Sequence, residues 1–184
     1  MSLEHLTDLA RLAERCAAAL EAPVAAYLEL VRATLKSGGT LYFAGNGGSA
    51  AHAQHMATEY VVRYARKRRA VRALALSTDT SLLTAAANDL GYEAVFERQV
   101  EAHVRAGDLL VLVSTSGDSP NLIRAAAAAR ARGVRTVGLL GREGGALKAQ
   151  VDLAIVVPSD DTALVQEVQL AIDHHVCAAI EADL

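Results

Sequence analysis

Residues 41–60, LYFAGNGGSAAHAQHMATEY, place two features that could do chemistry within one short segment. A short apolar run leads into the small-residue loop 45–49, and a helical pattern follows it. Because backbone N–H groups at a helix start lie at the positive end of its dipole, this order predicts an anion site. His55 and Glu59 follow four positions apart on one helix face, as a candidate acid/base or metal pair. The combination favours an enzyme acting on a small phosphorylated molecule.

The loop 45–49 does not match the two familiar nucleotide-binding motifs. Ser49 stands where GxGxxG needs its third glycine, and Ser77 and Thr78 stand where a ribose-binding acid is expected. No GK[ST] sequence follows, so the loop is not a P-loop. Taken alone, it is equally consistent with an ordinary strand-to-helix turn whose glycines adopt positive φ.

A second loop, STSGDS at residues 114–119, shifts the interpretation towards phosphate binding. Its four hydroxyls and its glycine lie between an apolar run and a helical pattern, where they can surround a phosphate with O–H and N–H donors. One serine is enough to cap a helix, so four hydroxyls exceed what capping needs.

Three further polar features are open to more than one interpretation. His52, one turn before His55, fits either a metal site or an exposed polar stripe. Gln166 and His174 lie eight positions apart, about 12 Å along a helix axis, and His174 is either a packing residue or part of a site opposite. The basic run 63–72 fits a solvated helix end or a rim that steers an anionic substrate better than a nucleic-acid surface.

The elements that must position these residues alternate along the chain. Apolar runs predict strands at 41–44, 71–76, 109–113, 136–140 and 154–157. Helical spacing predicts helices at 3–20, 23–36, 49–64, 79–88, 92–105, 120–132 and 160–182, with a short helical segment at 144–150. This alternation predicts an α/β fold, a doubly wound five-stranded parallel sheet with an N-terminal helical hairpin. Ligands of such sheets bind beyond the carboxyl ends of the strands, so the two loops are expected to face one crevice.

Composition narrows the class of protein. The 184 residues are 52% apolar, enough for one core, and we expect a single domain of residues 1–184, with helices over 1–37 and the α/β core over 38–184. A net charge of −3 gives no general case for nucleic acid or an acidic membrane. Cys16 and Cys177 form no CxxC pair, and the polar N-terminus does not resemble a secretion signal, so a cytoplasmic location is expected.

Taken together, these motifs resemble those of the sugar isomerase (SIS) domain superfamily, whose fold is flavodoxin-like. GNGGS and STSG mark the superfamily, whereas His55 with Glu59, the NDLG sequence at 88–91, and Gln166 with His174 point to the phosphoheptose isomerase family. The resemblance covers residues 3–182. It implies isomerisation of sedoheptulose 7-phosphate to D-glycero-D-manno-heptose 7-phosphate through an enediol, for the heptose of lipopolysaccharide or other surface glycans. It also implies a homotetramer with active sites shared between subunits, and a bound zinc ion.

The resemblance also implies roles for single residues. Contacts with the substrate, chiefly its phosphate, are expected from Asn46, Gly47, Gly48, Ser49, Ser114, Thr115, Ser116 and Ser119. Asn88 and Asp89 are expected to hold sugar hydroxyls, and the zinc ligands are expected to be His55, Glu59, Gln166 and His174, of which Glu59 and Gln166 also contact the substrate. An aldose–ketose isomerase moves a proton next to a carbonyl, so we predict Glu59 as the base and His174 as the acid. A base held tightly by zinc is a poorer base, so the zinc bond is either loose or mainly positional.

Two positions depart from the family pattern. The family commonly has Asp where this chain has His52 and Arg where it has Leu164, and the lost cation bears on the identity of the substrate.

Two other functions stay open. One alternative is a non-catalytic SIS binding protein of the replication-initiator-associating type. The other is an isomerase of a different phosphosugar. The presence of Glu59, Gln166 and His174 together favours an enzyme.

Overall fold

A computed structural model describes residues 3–184 as alternating strands and helices behind two N-terminal helices. The helices are α1 (Glu4–Ala19), α2 (Glu21–Lys36), α3 (Gly48–Val61), α4 (Thr80–Leu90), α5 (Val95–His103), α6 (Pro120–Ala131) and α7 (Thr162–Ala182). The strands are β1 (Leu41–Gly45), β2 (Ala73–Ala75), β3 (Leu109–Ser114), β4 (Arg135–Gly141) and β5 (Leu153–Val157). Two 3₁₀ turns, Tyr92–Ala94 and Ala146–Ala149, complete the order.

The five strands form one parallel sheet in the order β2-β1-β3-β4-β5. The predicted doubly wound α/β fold is therefore confirmed. The order reverses between β1 and β3, which pair directly with Gly45 opposite Val113. Their carboxyl ends therefore open at the same point, where sheets of this type bind their ligands.

Each face of the sheet carries its own apolar core because successive side chains of a strand point to opposite faces. The α3–α7 face is covered by α2, α3 and α7, and its core includes Phe43, Met56 and Val111. The α4–α6 face is covered by α4, α5 and α6, and its core includes Leu110 and Val100. The central strands β1, β3 and β4 are buried on both faces over nearly all of their length, which explains their largely apolar sequences.

The N-terminal helices pack beside α7. Leu12 and Cys16 of α1 are buried, whereas Leu3 and Leu6 are exposed. Within residues 3–184, no helix combines the length and the hydrophobicity needed to cross a membrane.

The observed and predicted boundaries differ by up to three residues at several elements, including β2, α5 and α3. The strand predicted at 71–76 is the short edge strand β2, although Arg72 and Leu76 extend the backbone pairing with β1. The helix predicted at 92–105 begins as a 3₁₀ turn and ends at His103. Helix α3 ends at Val61 rather than at residue 64, because the guanidinium of Arg68 binds the carbonyl oxygens of Glu59 and Tyr60.

Candidate active site

The two predicted anion loops lie side by side at the switch point of the sheet. One follows β1 and the other follows the neighbouring strand β3. A pair of amide side chains joins them: Asn46 donates to Oδ1 of Asn121 at 2.9 Å, and Asn121 donates back to Oδ1 of Asn46 at 2.8 Å. The hydroxyl of Tyr92 also donates to Asn46 Oδ1, at 2.9 Å. The two loops therefore lie next to each other beyond the carboxyl ends of β1 and β3.

The first loop is shaped by glycines that cannot be replaced freely. Gly47 has a φ of +55°, a conformation that L side chains rarely adopt, and α3 begins at the next residue. A Cβ on Gly48 would lie 2.7 Å from Nε2 of Gln166, so this side chain of α7 lies directly against the loop. Ser49, a predicted substrate contact, is buried in the first turn of α3.

The hydroxyls of the second loop divide into two groups. Ser114 Oγ accepts from the backbone N–H of Gly117 at 3.0 Å, and Ser116 Oγ accepts from that of Asp118 at 3.2 Å. These two serines hold the loop in shape. Thr115 and Ser119 are half-buried, and the Ser119 side chain makes no capping hydrogen bond although it stands at the N-cap of α6. Its hydroxyl is therefore free for a ligand.

His55, Glu59 and His174 meet where α3 packs against α7. Nε2 of His55 lies 3.0 Å from Nε2 of His174 and 3.4 Å from Oε1 of Glu59. The ring of Tyr64 lies over His174, with the ring centroids 5.5 Å apart. Helix spacing explains the His55–Glu59 contact, whereas the approach of His174 depends on the packing of two helices distant in sequence.

Electrostatics favour a neutral imidazole at His174. Burial and the neighbouring His55 lower the pKa of His174, while the Glu59 carboxylate opposes this shift. The neutral ring is the form that ligates a metal, and it can also donate one N–H to a substrate oxygen.

The four predicted zinc ligands do not all come together. His55, Glu59 and His174 supply two imidazole nitrogens and a carboxylate, a donor set that suits zinc, and the 3.0 Å between the Nε2 atoms is close to the separation of two ligands on one ion. Gln166 lies against Gly48 instead. Over residues 3–184, no group of three or more His, Cys, Asp or Glu side chains is already arranged to hold a metal. The donor atoms of His55, Glu59 and His174 are therefore of the kind that zinc binds. To complete a site, the Glu59 carboxylate would need to rotate towards the two histidines.

Asn88 and Asp89, the predicted contacts for sugar hydroxyls, lie at the end of α4. Asn88 donates to Asp89 Oδ1 at 2.7 Å, and both residues are exposed. Asp89 lines a groove of about 510 Å³ between α4 and α5. Within this chain they are not brought to the cluster of His55, Glu59 and His174.

The basic run 63–72 is not merely a solvated rim, because Arg68 is buried. Its guanidinium pairs with Glu181 at 3.1 Å, and both side chains are at most 5% exposed. The Glu181 carboxylate also accepts three backbone N–H groups, from Tyr64, Ala65 and Arg66. Burial alone would raise the pKa of Glu181, but these amides and Arg68 lower it to about 2. The cluster lies where α3 ends, two residues after Glu59, and fixes the segment that carries Tyr64.

The two departures from the family pattern have separate surroundings. Leu164 is partly buried and packs against the apolar cluster formed by Leu12, Val157 and Val165. His52 is neither a ligand beside His55 nor part of an exposed stripe, since it is buried and its Nε2 lies 2.7 Å from Oδ2 of Asp173.

Comparison with known proteins agrees with this geometry. The family model described as the SIS domain matches residues 4–141. The phosphoheptose isomerase of Trichlorobacter lovleyi is 47% identical over 181 residues, which cover 98% of this chain and 92% of that protein. The chain belongs to the phosphoheptose isomerase family. A second member of the family, from Pelobacter propionicus, is 53% identical over 156 residues, covering 85% of this chain and 82% of that protein.

Solved structures of the family share the whole fold. The phosphoheptose isomerase from Neisseria gonorrhoeae superposes with a TM-score of 0.92 at 39% identity, covering 97% of this chain and 96% of that one. The enzyme from Francisella tularensis gives a TM-score of 0.94 at 30% identity, covering 97% and 95%. The family predicted from the sequence motifs is confirmed.

Asn121, Tyr92, Arg68 and Glu181 were not predicted as parts of the site. Asn121 follows a proline at the start of a helix next to the second loop, a position that could have indicated a role at the crevice. The burial of Arg68 had no local signal, because its partner Glu181 lies 113 positions further along the chain.

Proposed function

We propose that this chain is a phosphoheptose isomerase, which converts sedoheptulose 7-phosphate to D-glycero-D-manno-heptose 7-phosphate for the synthesis of heptose-containing surface glycans. The observation that carries this proposal is the meeting of His55, Glu59 and His174 in a chain of this family. An aldose–ketose isomerisation needs a carboxylate and an imidazole that can both contact the same substrate.

The loops bind and orient the substrate in this proposal. The phosphate lies in the crevice, where the free Ser119 hydroxyl, Thr115 and the N–H groups at the start of α3 act as donors. Asn46, Gly47, Gly48, Ser49, Ser114 and Ser116 complete or shape this cradle. Uncharged donors suit a ligand that must be released after each turnover, and Gln166 against Gly48 lies beside the bound sugar.

Glu59 and His174 move the protons. Glu59 takes a proton from C1 while His174 donates one to the carbonyl oxygen on C2, giving a 1,2-enediol. Glu59 then returns a proton to C2 while O1 loses its proton to His174, and the product carries the carbonyl at C1. The half-buried position of Glu59, with its side chain 19% exposed, lets it reach the sugar while limiting its contact with water.

We further propose that zinc binds at His55, Glu59, His174 and Gln166. When bound, the ion would polarise the substrate oxygens next to the transferred proton. The donor set and the neutral form of His174 support this assignment. Because Glu59 must also act as a base, its bond to the ion is expected to be weak and to exchange.

We propose that the chain works as a homotetramer whose subunits share active sites. Helices α1, α2 and α7 line an apolar groove of about 620 Å³, and Leu3 and Leu6, near the start of α1, are 69% and 55% exposed. Exposed apolar surface of this kind is typical of subunit contacts. Asn88 and Asp89 are exposed at the end of α4, where they can contact a neighbouring subunit. Cys16 and Cys177 are unpaired, which supports a cytoplasmic location.

The decisive experiment incubates the protein with sedoheptulose 7-phosphate and follows heptose 7-phosphate by NMR, with zinc added or removed by a chelator. We expect turnover that falls on chelation and returns with zinc. Absence of turnover in both conditions, together with binding to a replication initiator, would favour the non-catalytic alternative. Turnover of a pentose or hexosamine phosphate in place of the heptulose would favour an isomerase of another phosphosugar.

A further inference from the structure

A buried polar network crosses the three helices of the α3–α7 face. Asp173 of α7 is fully buried and accepts two hydrogen bonds. The hydroxyl of Tyr27 in α2 donates to Oδ1 at 2.8 Å, and Nε2 of His52 in α3 lies 2.7 Å from Oδ2. A single carboxylate therefore ties α2, α3 and α7 together inside an otherwise apolar core.

This network adjoins the catalytic cluster on both helices. Asp173 directly precedes His174, and His52 lies one turn before His55. Consecutive residues of a helix point about 100° apart, so Asp173 faces inward while His174 faces the site. A rotation or slide of α7 that broke the bond between Asp173 and His52 would also move His174 away from His55.

The network is a poor way to gain stability. Nδ1 of His52, the hydroxyl of Tyr60 and both polar atoms of Gln169 are buried without hydrogen-bond partners. Buried polar groups that are only partly satisfied stabilise a core less than apolar side chains of similar volume. Buried polar pairs of this kind are known to fix one register of packed elements. The precise placement of the helices is therefore a physical reason for this network.

We propose that Tyr27, His52 and Asp173 are positioning residues, which hold α7 against α3 so that His174 meets His55 and Glu59. Proton transfer requires its groups within hydrogen-bond reach, and a misplacement of 1 Å can cost about 100-fold in rate. This inference rests on the proposed function, because it assigns the network to the placement of the proposed acid and metal ligand.

The test exchanges the two sides of the pair. His52→Asp places two carboxylates face to face, Asp173→His places two imidazoles face to face, and the double variant restores a complementary pair with its orientation reversed. We expect each single variant to lose about 100-fold in kcat for sedoheptulose 7-phosphate, with KM changed less than about threefold. The double variant is expected to recover at least tenfold of this loss.

Zinc affinity gives a readout independent of turnover. Competition with a chromophoric chelator should show single variants that bind zinc about 10- to 100-fold more weakly, with recovery in the double variant. If the single variants do not fold, Tyr27→Phe removes one bond with little change in volume and should lower kcat about fivefold. Tyr60→Phe is its matched control, since the Tyr60 hydroxyl has no partner, and it should leave kcat unchanged.

Two results would overturn the inference. Folded single variants with unchanged kcat and zinc affinity would show that the network does not place His174. A double variant that regains its melting temperature without regaining kcat or zinc affinity would make the network merely structural. If the unmodified chain shows no turnover, the proposed function fails. The zinc affinities of the single and double variants then still decide whether the network positions His174.

Discussion

The two faces of the sheet differ in how their buried polar groups are hydrogen-bonded. On the α4–α6 face, the buried Gln99 donates to the carbonyl oxygens of Leu76 and Val95. Asn121 of α6 is also buried, and its side chain is paired with Asn46. On the α3–α7 face, Asp173, His52 and Gln169 are buried beside Tyr27 and Tyr60, and several of their polar atoms lack partners. The face that carries the proposed catalytic cluster therefore holds buried polar groups that lack partners, whereas the buried amides of the other face are hydrogen-bonded.

The largest expected effect on activity comes from Glu59. Glu59→Gln keeps the size of the side chain but removes the base, so kcat should fall about 10²- to 10⁴-fold. Binding of the substrate phosphate should change little, because the loops supply it. Kinetics and isothermal titration with a phosphorylated sugar check both parts. Glu29→Gln, an exposed carboxylate on α2, is the control, and retained activity in Glu59→Gln would remove Glu59 from the base role.

A matched pair of cavity variants tests the contrast between the faces. Leu110→Ala on the α4–α6 face and Met56→Ala on the α3–α7 face each truncate a fully buried side chain. Each should lower the free energy of unfolding by about 2–5 kcal/mol, measured by urea denaturation. Only Met56→Ala should lower kcat at a temperature where both variants are folded, because Met56 lies beside His55 on α3. Equal losses of kcat would contradict the contrast.

A smaller effect is expected where the first loop meets α7. Gly48→Ala places a Cβ 2.7 Å from Nε2 of Gln166, which must swing away, and KM for the sugar phosphate should rise several-fold. Gln166→Ala removes the obstacle, so the double variant should have the KM of Gln166→Ala alone. This non-additivity is typical of residues in contact. Additive effects in steady-state kinetics would show that the two residues act separately.

The smallest expected effect on activity comes from Glu181, whose carboxylate contributes to acid stability. The pKa of Glu181 is lowered to about 2 in the folded chain from an ordinary value of 4.5, so its contribution is present above pH 4.5 and is lost as the pH falls to about 2. Glu181→Gln should lower the melting temperature at pH 7 and flatten its fall between pH 4.5 and 2. The Glu29→Gln variant should keep the pH profile of the unmodified chain. Parallel profiles for Glu181→Gln and the unmodified chain would place the acid-sensitive group elsewhere.

The sequence predicted those parts of the molecule that depend on local patterns. Mainly apolar runs predicted the five strands, although the run at 71–76 contains Arg72 and forms only the short β2. The glycine and serine loops marked the point where β1 and β3 end. The i, i+4 spacing of His55 and Glu59 was enough to predict their contact. Each of these features is determined by residues that lie close to one another in the sequence.

The remaining parts depend on partners far away in the chain. Arg68 belongs to a strongly charged run that is typical of a solvated surface, and only the packing of Glu181 against it explains its burial. The amide pair of Asn46 and Asn121 spans 75 positions, and the bond from His52 to Asp173 spans 121. No helical or strand period encodes such pairings, so they became visible only in the folded chain.

The central claim is that Glu59 carries a proton between C1 and C2 of a sugar phosphate, and isomerisation in D₂O tests it most directly. With sedoheptulose 7-phosphate in D₂O, NMR should show deuterium entering the product at C2, because the proton held by Glu59 exchanges with solvent before it is returned. Glu59→Gln should lose this exchange together with turnover. Deuterium exchange or turnover that continues in Glu59→Gln would contradict the claim.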